Sequence, residues 1–302
     1  MLRGDTFDVT DDLDVAEPLP VSDAQRSRIG DRQVIATVSG GKDSVAMWLW
    51  ARRNGLNPVA VYADTQWEWD EPDAIGATHY QHLELLEARI DQLHRVVSEP
   101  GLAASVVAQK TFPTRVHRWC TKELKLKPIS NWLDRYRAEM GADILVIVGV
   151  RREESADRAD PKKTPEWEWS DIYDCEMWRP MLDWTVQQVI YEHRRAAIPM
   201  HPLYHHGAER VGCFPCINAD KAELRLVSEL APKRVAEIRR LEALTGKMMF
   251  LRRRDGARAA TPWPIDEVLT WAKTKHGGKE IQLERPRTGC ARWGICEHQP
   301  DP

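Results

Sequence analysis

Long apolar runs are missing from this 302-residue chain. A bilayer-spanning helix takes roughly 20 consecutive apolar residues, and no stretch supplies them. The N-terminus has no apolar signal-peptide core and is instead acidic, with Asp5, Asp8, Asp11, Asp12 and Asp14. These two absences point to a soluble, cytoplasmic protein with no membrane partner. Net charge is scarce as well: 43 Lys and Arg against 46 Asp and Glu leave −3. That excludes a generally basic nucleic-acid coat but leaves room for local patches. Internal repeats and low-complexity tracts are absent. A disulfide framework is not expected either, because six cysteines in a cytoplasmic chain read better as ligands or redox residues. What is present is enough chain for a real core, in one large domain or one plus a smaller one. Thirteen tryptophans are available to pack that core and its seams.

The β-branched run Val34–Val38 is followed by Ser39-Gly40-Gly41-Lys42-Asp43-Ser44, then by Val45, Trp48 and Leu49 at helical spacing. The order is a buried strand, a glycine turn and a helix N-terminus. Glycines let the backbone curl so that several N–H groups converge, and the helix start adds unpaired donors and a positive dipole end. Lys42 adds a mobile point charge suited to phosphate. The loop is neither a Walker A sequence nor a Rossmann G-x-G-x-x-G. Taken alone it reads as a phosphate site.

Further strands are expected at 58–62, ending at Asp64, at 94–97, and at Ile144–Val148, whose continuous apolar run suits a central parallel strand. Helices are expected at about 72–92, around Ile129, Trp132, Leu133 and Tyr136, and from Thr185, where Gln188 completes a capping box. The fold class is α/β: a doubly wound, mostly parallel sheet with a helical, cysteine-containing C-terminal region. Residues 1–30 form a polar tail with one short helix near Ala24. Residues 31–218 form the nucleotide-binding domain, and residues 219–302 the helical remainder. Ligands of such sheets sit beyond the C-terminal strand ends, where Asp64 lies. The polar stretch from Ser155 to Trp169 is expected to be a mobile loop or lid.

Several of these segments resemble one family. The hexapeptide Ser39–Ser44 resembles the pyrophosphate-binding loop of the PP-loop ATP pyrophosphatases, the adenine nucleotide alpha hydrolase-like superfamily. Asp64-Thr65-Gln66-Trp67-Glu68 resembles the D-T-G-x-x-F/P-E-T segment of its PAPS reductase branch, with Gln66 in place of the usual glycine. The run Arg118 to Lys125 resembles the R-x-C-(C/T)-x-x-x-K stretch of PAPS and APS reductases and of the sulfur-mobilising DNA phosphorothioation proteins. Gly149-Val150-Arg151 through Ser155 to Arg158 resembles the G-x-R-x-x-x-S-x-x-R loop. The P-x-x-D-W-T at 180–185 and I-P-x-H-P-L-Y at 198–204 extend the likeness, which runs from about 33 to 218.

The resemblance implies ATP cleaved between its α and β phosphates, giving AMP and pyrophosphate and adenylating a substrate oxygen, ahead of sulfur transfer to nucleic acid or within a mobile-element or defence system. Ser39, Gly40, Gly41 and Ser44 would hold pyrophosphate. Lys42, Asp43 and Arg151 would act in catalysis, with Mg²⁺ oriented by Asp43 or Asp64. Gly149, Arg151 and Arg158 would complete the nucleotide site, and Lys122, Lys125 and Lys127 offer a grip for a substrate phosphate or sulfate.

Cys213-Phe214-Pro215-Cys216 is a C-x-x-C whose reach suits two ligands on one metal or a redox pair. The resemblance adds Cys120 and favours a [4Fe-4S] cluster over zinc, with Cys296 as fourth ligand ahead of Cys175 and Cys290. His201, His205 and His206 keep zinc open. The tail Gly294-Ile295-Cys296-Glu297-His298 has the composition, not the order, of the reductases' E-C-G-(I/L)-H. A PAPS or APS reductase releasing sulfite, with Cys296 as nucleophile, is therefore the alternative, and a non-catalytic nucleotide-binding scaffold is another. Lys233, Arg234, Arg239, Arg240 and the run Arg252-Arg253-Arg254 make a basic subregion, a candidate surface for nucleic acid or a protein partner. The oligomeric state stays open, a homodimer included.

Overall fold

The computed structural model describes residues 16–252, 259–275 and 279–280. Ser22 opens helix α1 (Asp23–Ile29) with a capping box to Gln25. Strand β1 (Gln33–Thr37) leads through the glycine loop into α2 (Lys42–Arg53), then β2 (Val59–Asp64). Helix α3 (His79–Arg89) follows, with strand β3 (Leu93–Val97) and helix α4 (Leu102–Gln109). A one-turn helix, α5 (Trp119–Thr121), continues through a π-helical segment, Lys122–Leu126, into α6 (Lys127–Met140). Next come β4 (Ile144–Val148), the short α7 (Ala156–Ala159), β5 (Trp167–Ser170), β6 (Cys175–Trp178) and α8 (Val186–Arg195). The C-terminal part holds α9 (Lys221–Leu230), α10 (Pro232–Thr245), the hairpin of β7 (Phe250–Arg252) with β8 (Thr261–Trp263), and α11 (Ile265–Ala272).

The main sheet runs β3-β2-β1-β4-β6-β5, parallel throughout except for β5. Period-two alternation explains the layering. Val34 and Ala36, Ala60 and Tyr62, Leu145 and Ile147 point to one face, where α2, α3 and α8 cover them. Ile35, Val61, Ile144 and Val146 point to the other, against Ile129 and Leu133 of α6. Both faces are covered, as a parallel sheet requires. No helix among the described residues is long and apolar enough to cross a membrane.

The C-terminal helices share a third core with the loops at the strands' C-terminal ends. Leu224, Ile238 and Val268 pack with Trp67, Trp69, Trp119, Leu203 and Phe214. The expected mobile stretch before Trp169 is largely structured. Its end is the edge strand β5, pinned by Trp167 stacked on Trp178 with ring centroids 4.8 Å apart. The α3 helix starts at His79 rather than 72, because Thr78 and Gln81 close a capping box there. Helix α4, an apolar Leu-Ala-Ala-Ser-Val-Val run, was outside the sequence expectation.

Candidate active site

The loop Ser39–Ser44 sits at the C-terminal end of β1 and caps α2. Gly40 takes a φ of +73°, and a Cβ there would lie 2.6 Å from the His79 ring. Only glycine fits both demands. Ser44 Oγ accepts from Ser39 N–H at 3.0 Å and donates to Gly41 O at 3.0 Å, which locks the curl. Gly149, at the end of β4, lies so close to α2 that a Cβ would meet Ser44 Cα at 2.9 Å. The close approach it allows is thus to the backbone of the loop's own helix.

The charges at this end are knitted together. Lys42 Nζ lies 2.8 Å from Asp43 Oδ2, and Arg151 Nε lies 2.5 Å from Asp43 Oδ1. Burial pushes the Asp43 carboxyl up, but Lys42 and Arg151 outweigh it and hold the group below the usual carboxylate range. Arg151 also pairs with Glu153, and its backbone N–H donates to Glu154 at 2.8 Å. Arg158 stands at the rim, ion-paired to Glu154. The Lys42 N–H donates to the hydroxyl of buried Tyr204 at 3.1 Å, and His193 stands between the carbonyls of Lys42 and Ile198. Tyr204 lies 162 positions away in sequence, so no local signal could have pointed to its contact.

Asp64 is fully buried and already committed. It accepts from Gln66 N–H at 2.8 Å, Tyr80 hydroxyl at 3.1 Å and Arg95 Nε at 2.8 Å. It shapes the turn rather than offering a free ligand. Gln66, in the position of the usual glycine, adopts φ +56° and is held by that bond and by its amide donating to Ser98 O at 2.8 Å.

Behind Gly40, His201 joins two histidines that sequence reading passed over, His79 and His82, and all three are buried. The His79–His201 and His82–His201 ring centroids are 5.2 and 4.9 Å apart. Burial lowers the imidazoles to about 3, about 4 and about 2 respectively, so the cluster is neutral. The i, i+3 spacing of His79 and His82 on one helix face was the available hint.

The thiol end adjoins the phosphate end. A Cβ on Gly41 would be 3.5 Å from Val211 O, two residues before Cys213. The C-x-x-C turn is laced to Trp67: Phe214 N–H donates to Trp67 O at 2.8 Å, and Trp67 Nε1 donates to Pro215 O at 3.1 Å. Cys213 Sγ lies 3.4 Å from Thr65 Oγ1, which donates to buried Glu68 at 2.7 Å. Burial pushes the Cys213 thiol up, and Lys125 beside it pulls the other way. The Cys213 sulfur in turn raises Lys125, with Glu68 and Cys216 adding to it. Cys120 is raised by burial and then by its neighbour Cys216. The structure therefore brings Cys120, Cys213, Cys216 and Lys125 together.

Cys175 is not among them; it is buried in the sheet beside Tyr173. Cys290 and Cys296 lie outside the described residues, as does His298. No group of three or more His, Cys, Asp or Glu among the described residues could hold a metal ion. An ammonium stands among the thiols instead. The ligand set that the resemblance implies, Cys120, Cys213, Cys216 and Cys296, is thus described only in its first three members.

The basic subregion near the C-terminus also reads differently in three dimensions. Arg234 is buried, with its guanidinium 4.1 Å over the Trp67 ring and bonded to Glu68 O and Asp70. Arg239 pairs with Asp266, and Arg240 with Glu237. Arg252 lies 3.9 Å from Glu267. These charges serve packing and pairing, and Arg253 and Arg254 lie outside the described residues.

Residues 33–219 match the phosphoadenosine phosphosulfate reductase domain. An uncharacterized 37.8 kDa protein of Escherichia phage 186 is 28% identical over 331 residues, spanning 87% of this chain and 96% of its own length. An uncharacterized protein of Methanocaldococcus jannaschii is 30% identical over 196 residues, spanning 65% of this chain and 44% of that protein. Among solved structures, phosphoadenylyl-sulfate reductase from Candida auris, in a phosphate complex, superposes with a TM-score of 0.44 at 14% identity. It covers 64% of this chain and 87% of its own. U34-tRNA thiolase NcsA from Methanococcus maripaludis, with its [4Fe-4S] cluster, gives 0.40 at 16% identity, with 82% and 86% covered.

Proposed function

The chain belongs to the phosphoadenosine phosphosulfate reductase domain family, and from that premise we propose that it is an ATP pyrophosphatase: it cleaves ATP to AMP and pyrophosphate, adenylating a substrate oxygen. The observation that supports this most is the cradle at Ser39–Ser44, with Lys42 and Arg151 converging on Asp43 beside it. The loop's backbone donors and the start of α2 bind the leaving pyrophosphate. Lys42 and Arg151 neutralise charge as the α–β bond breaks, and they are fixed before reaction by their shared carboxylate. Ionised Asp43 would hold Mg²⁺ only by giving up Lys42 or Arg151 on one of its oxygens, and the ion would then supply further charge neutralisation. Tyr204 and His193 hold the Lys42 backbone so that the donors stay aimed. At the adjoining end, Cys213 is the thiol best placed to handle sulfur once an oxygen has been activated, because Lys125 stabilises its anion.

The test is product analysis after incubation with ATP and Mg²⁺, with candidate acceptors present. AMP and pyrophosphate in equal amounts support the reading; ADP and phosphate, or no turnover, sink it. Sulfite release from PAPS or APS with a thiol reductant, lost in Cys296→Ala, would instead establish a reductase.

A further inference from the structure

Among the described residues, most arginines are spoken for. Exposed Arg28, Arg239 and Arg240 and part-buried Arg52 and Arg152 all pair with carboxylates. The segment 110–127 departs from that pattern. It holds Lys110, Arg115, Arg118, Lys122, Lys125 and Lys127 against the single acid Glu123, in a chain whose net charge is −3. Lys127 pairs with Glu123 at 3.4 Å. Among the described residues, Arg115, Arg118, Lys122 and, across the groove, Arg135 have no carboxylate within 4.0 Å. All are exposed, and the turn Thr114–His117 lifts Val116 to 98% exposure at its tip.

Arg118, Lys122, Lys127 and Arg135 line two adjoining grooves, and Arg115 stands on the turn that precedes Arg118. One, of about 560 Å³, is lined by Gln109, His117, Arg118, Trp119, Lys122 and Glu123. The other, of about 510 Å³, is lined by Gln109, Glu123, Lys127, Asn131 and Arg135 with the edge of β3. They meet at Gln109 and Glu123, so the trough is continuous from the turn to α6. Each is the size of a nucleotide-scale site.

We infer that this trough is a docking site for a single nucleic-acid strand, held by its phosphates along the Arg115, Arg118, Lys122 and Arg135 rim. Guanidinium forks match phosphate oxygens bidentately. Gln109, Asn131 and Glu123 in the lining are hydrogen-bonding groups of the kind that read base edges, and a carboxylate there accepts from a base amino group. A polyacidic peptide meets the same cations but brings no ring to stack on a histidine, and poly-glutamate is the competing outcome of the test. The exposed His117 ring adds a face on which a base can stack. The helical run that forms one wall carries Cys120 and Lys125 on its inward side, so a docked strand passes one helix from the thiol end. The inference rests on the proposed function only for the reason a strand would dock there.

The experiment is fluorescence anisotropy of the full chain with labelled single-stranded 20-mers of RNA and DNA, and with labelled poly-glutamate, at 50 and 200 mM salt. For three or four phosphate contacts the single-strand slope predicts a loss of affinity of roughly 18- to 49-fold over that range. Arg115→Glu with Arg135→Glu is expected to weaken binding at least tenfold, whereas Arg239→Glu with Arg240→Glu changes it less than twofold. Equal effects of the two pairs, oligonucleotide binding without salt dependence, or poly-glutamate binding as tight as RNA and DNA would overturn the inference. So would no binding at 50 mM salt by a variant-free protein with an unaltered circular-dichroism spectrum. ATP cleavage is scored separately. Binding without AMP formation refutes the pyrophosphatase reading alone, and AMP formation without binding refutes the docking site alone.

Discussion

At the phosphate end of the site, each charged side chain has a protein counterpart: Lys42 and Arg151 share Asp43, and Glu153 and Glu154 hold the Arg151 side chain and backbone. At the thiol end, three cysteines and Glu68 face one ammonium, and burial pushes the Cys120 and Cys213 thiols up. The first end is a set of fixed charges whose geometry is complete in the protein alone. The second is largely neutral, and its reactivity depends on how far Lys125 offsets desolvation. Preorganised charge suits stabilisation of a leaving pyrophosphate. A restrained thiol suits a group that must react only after activation.

The largest expected effect separates the two ends. Lys42→Met should slow AMP and pyrophosphate formation by roughly a thousandfold, about 4 kcal/mol of transition-state stabilisation. Cys213→Ser should leave that partial reaction within about threefold. A steady-state assay of pyrophosphate release compares them, and equal losses would erase the distinction between the ends. The next effect lies at the thiol end alone. Lys125→Met removes the ammonium that favours the Cys213 thiolate, so iodoacetamide labelling near neutral pH should slow about tenfold, as expected for loss of a charged hydrogen bond. Mass spectrometry of the labelled Cys213 peptide reads it, and unchanged labelling would show that burial alone governs the thiol.

The histidine cluster behind Gly40 makes the phosphate end acid-sensitive. The folded-state values of about 3, about 4 and about 2 for His79, His82 and His201 lie below the ordinary 6.5. Below pH 6.5 the unfolded chain binds protons that the native cluster refuses, so stability is full above 6.5 and falls as pH drops toward 4. Each histidine contributes a slope of at most about 1.4 kcal/mol per pH unit. Urea melts at pH 6.5, 5.5 and 4.5 should show a shallower decline in His82→Gln. The smallest effect is at Tyr204. Tyr204→Phe removes one hydrogen bond to the Lys42 N–H, worth about 0.5–1.5 kcal/mol. KM for ATP should shift several-fold with kcat nearly unchanged.

Much of this was legible in the chain. The β-branched run before Ser39, the continuous apolar run before Gly149 and the Thr185–Gln188 capping box are local signals, and their elements lie where those signals place them. The parts that were not legible depend on distant partners. Arg239 and Arg240 look like a binding patch until Asp266 and Glu237 are seen beside them. The edge strand β5 sits in a polar stretch and is held by a tryptophan stack with Trp178, which no periodicity announces. Asp64 is placed correctly at its strand end, but its saturation by Arg95, Tyr80 and Gln66 is a property of the packed structure.

The π-helical segment Lys122–Leu126 acts as a phase shifter. Its i→i+5 bonding accommodates one residue more per turn than the helices on either side, without breaking the rod. Winding the same residues as an ordinary α-helix would rotate everything upstream by about 100° relative to Ile129 and Leu133, which anchor α6 to the sheet. Cys120 would turn away from Cys216, and the cationic rim at Arg118 would turn with it. Which side of this wall carries sulfur and which carries charge is therefore set by the winding of this one turn, and no single side chain decides it.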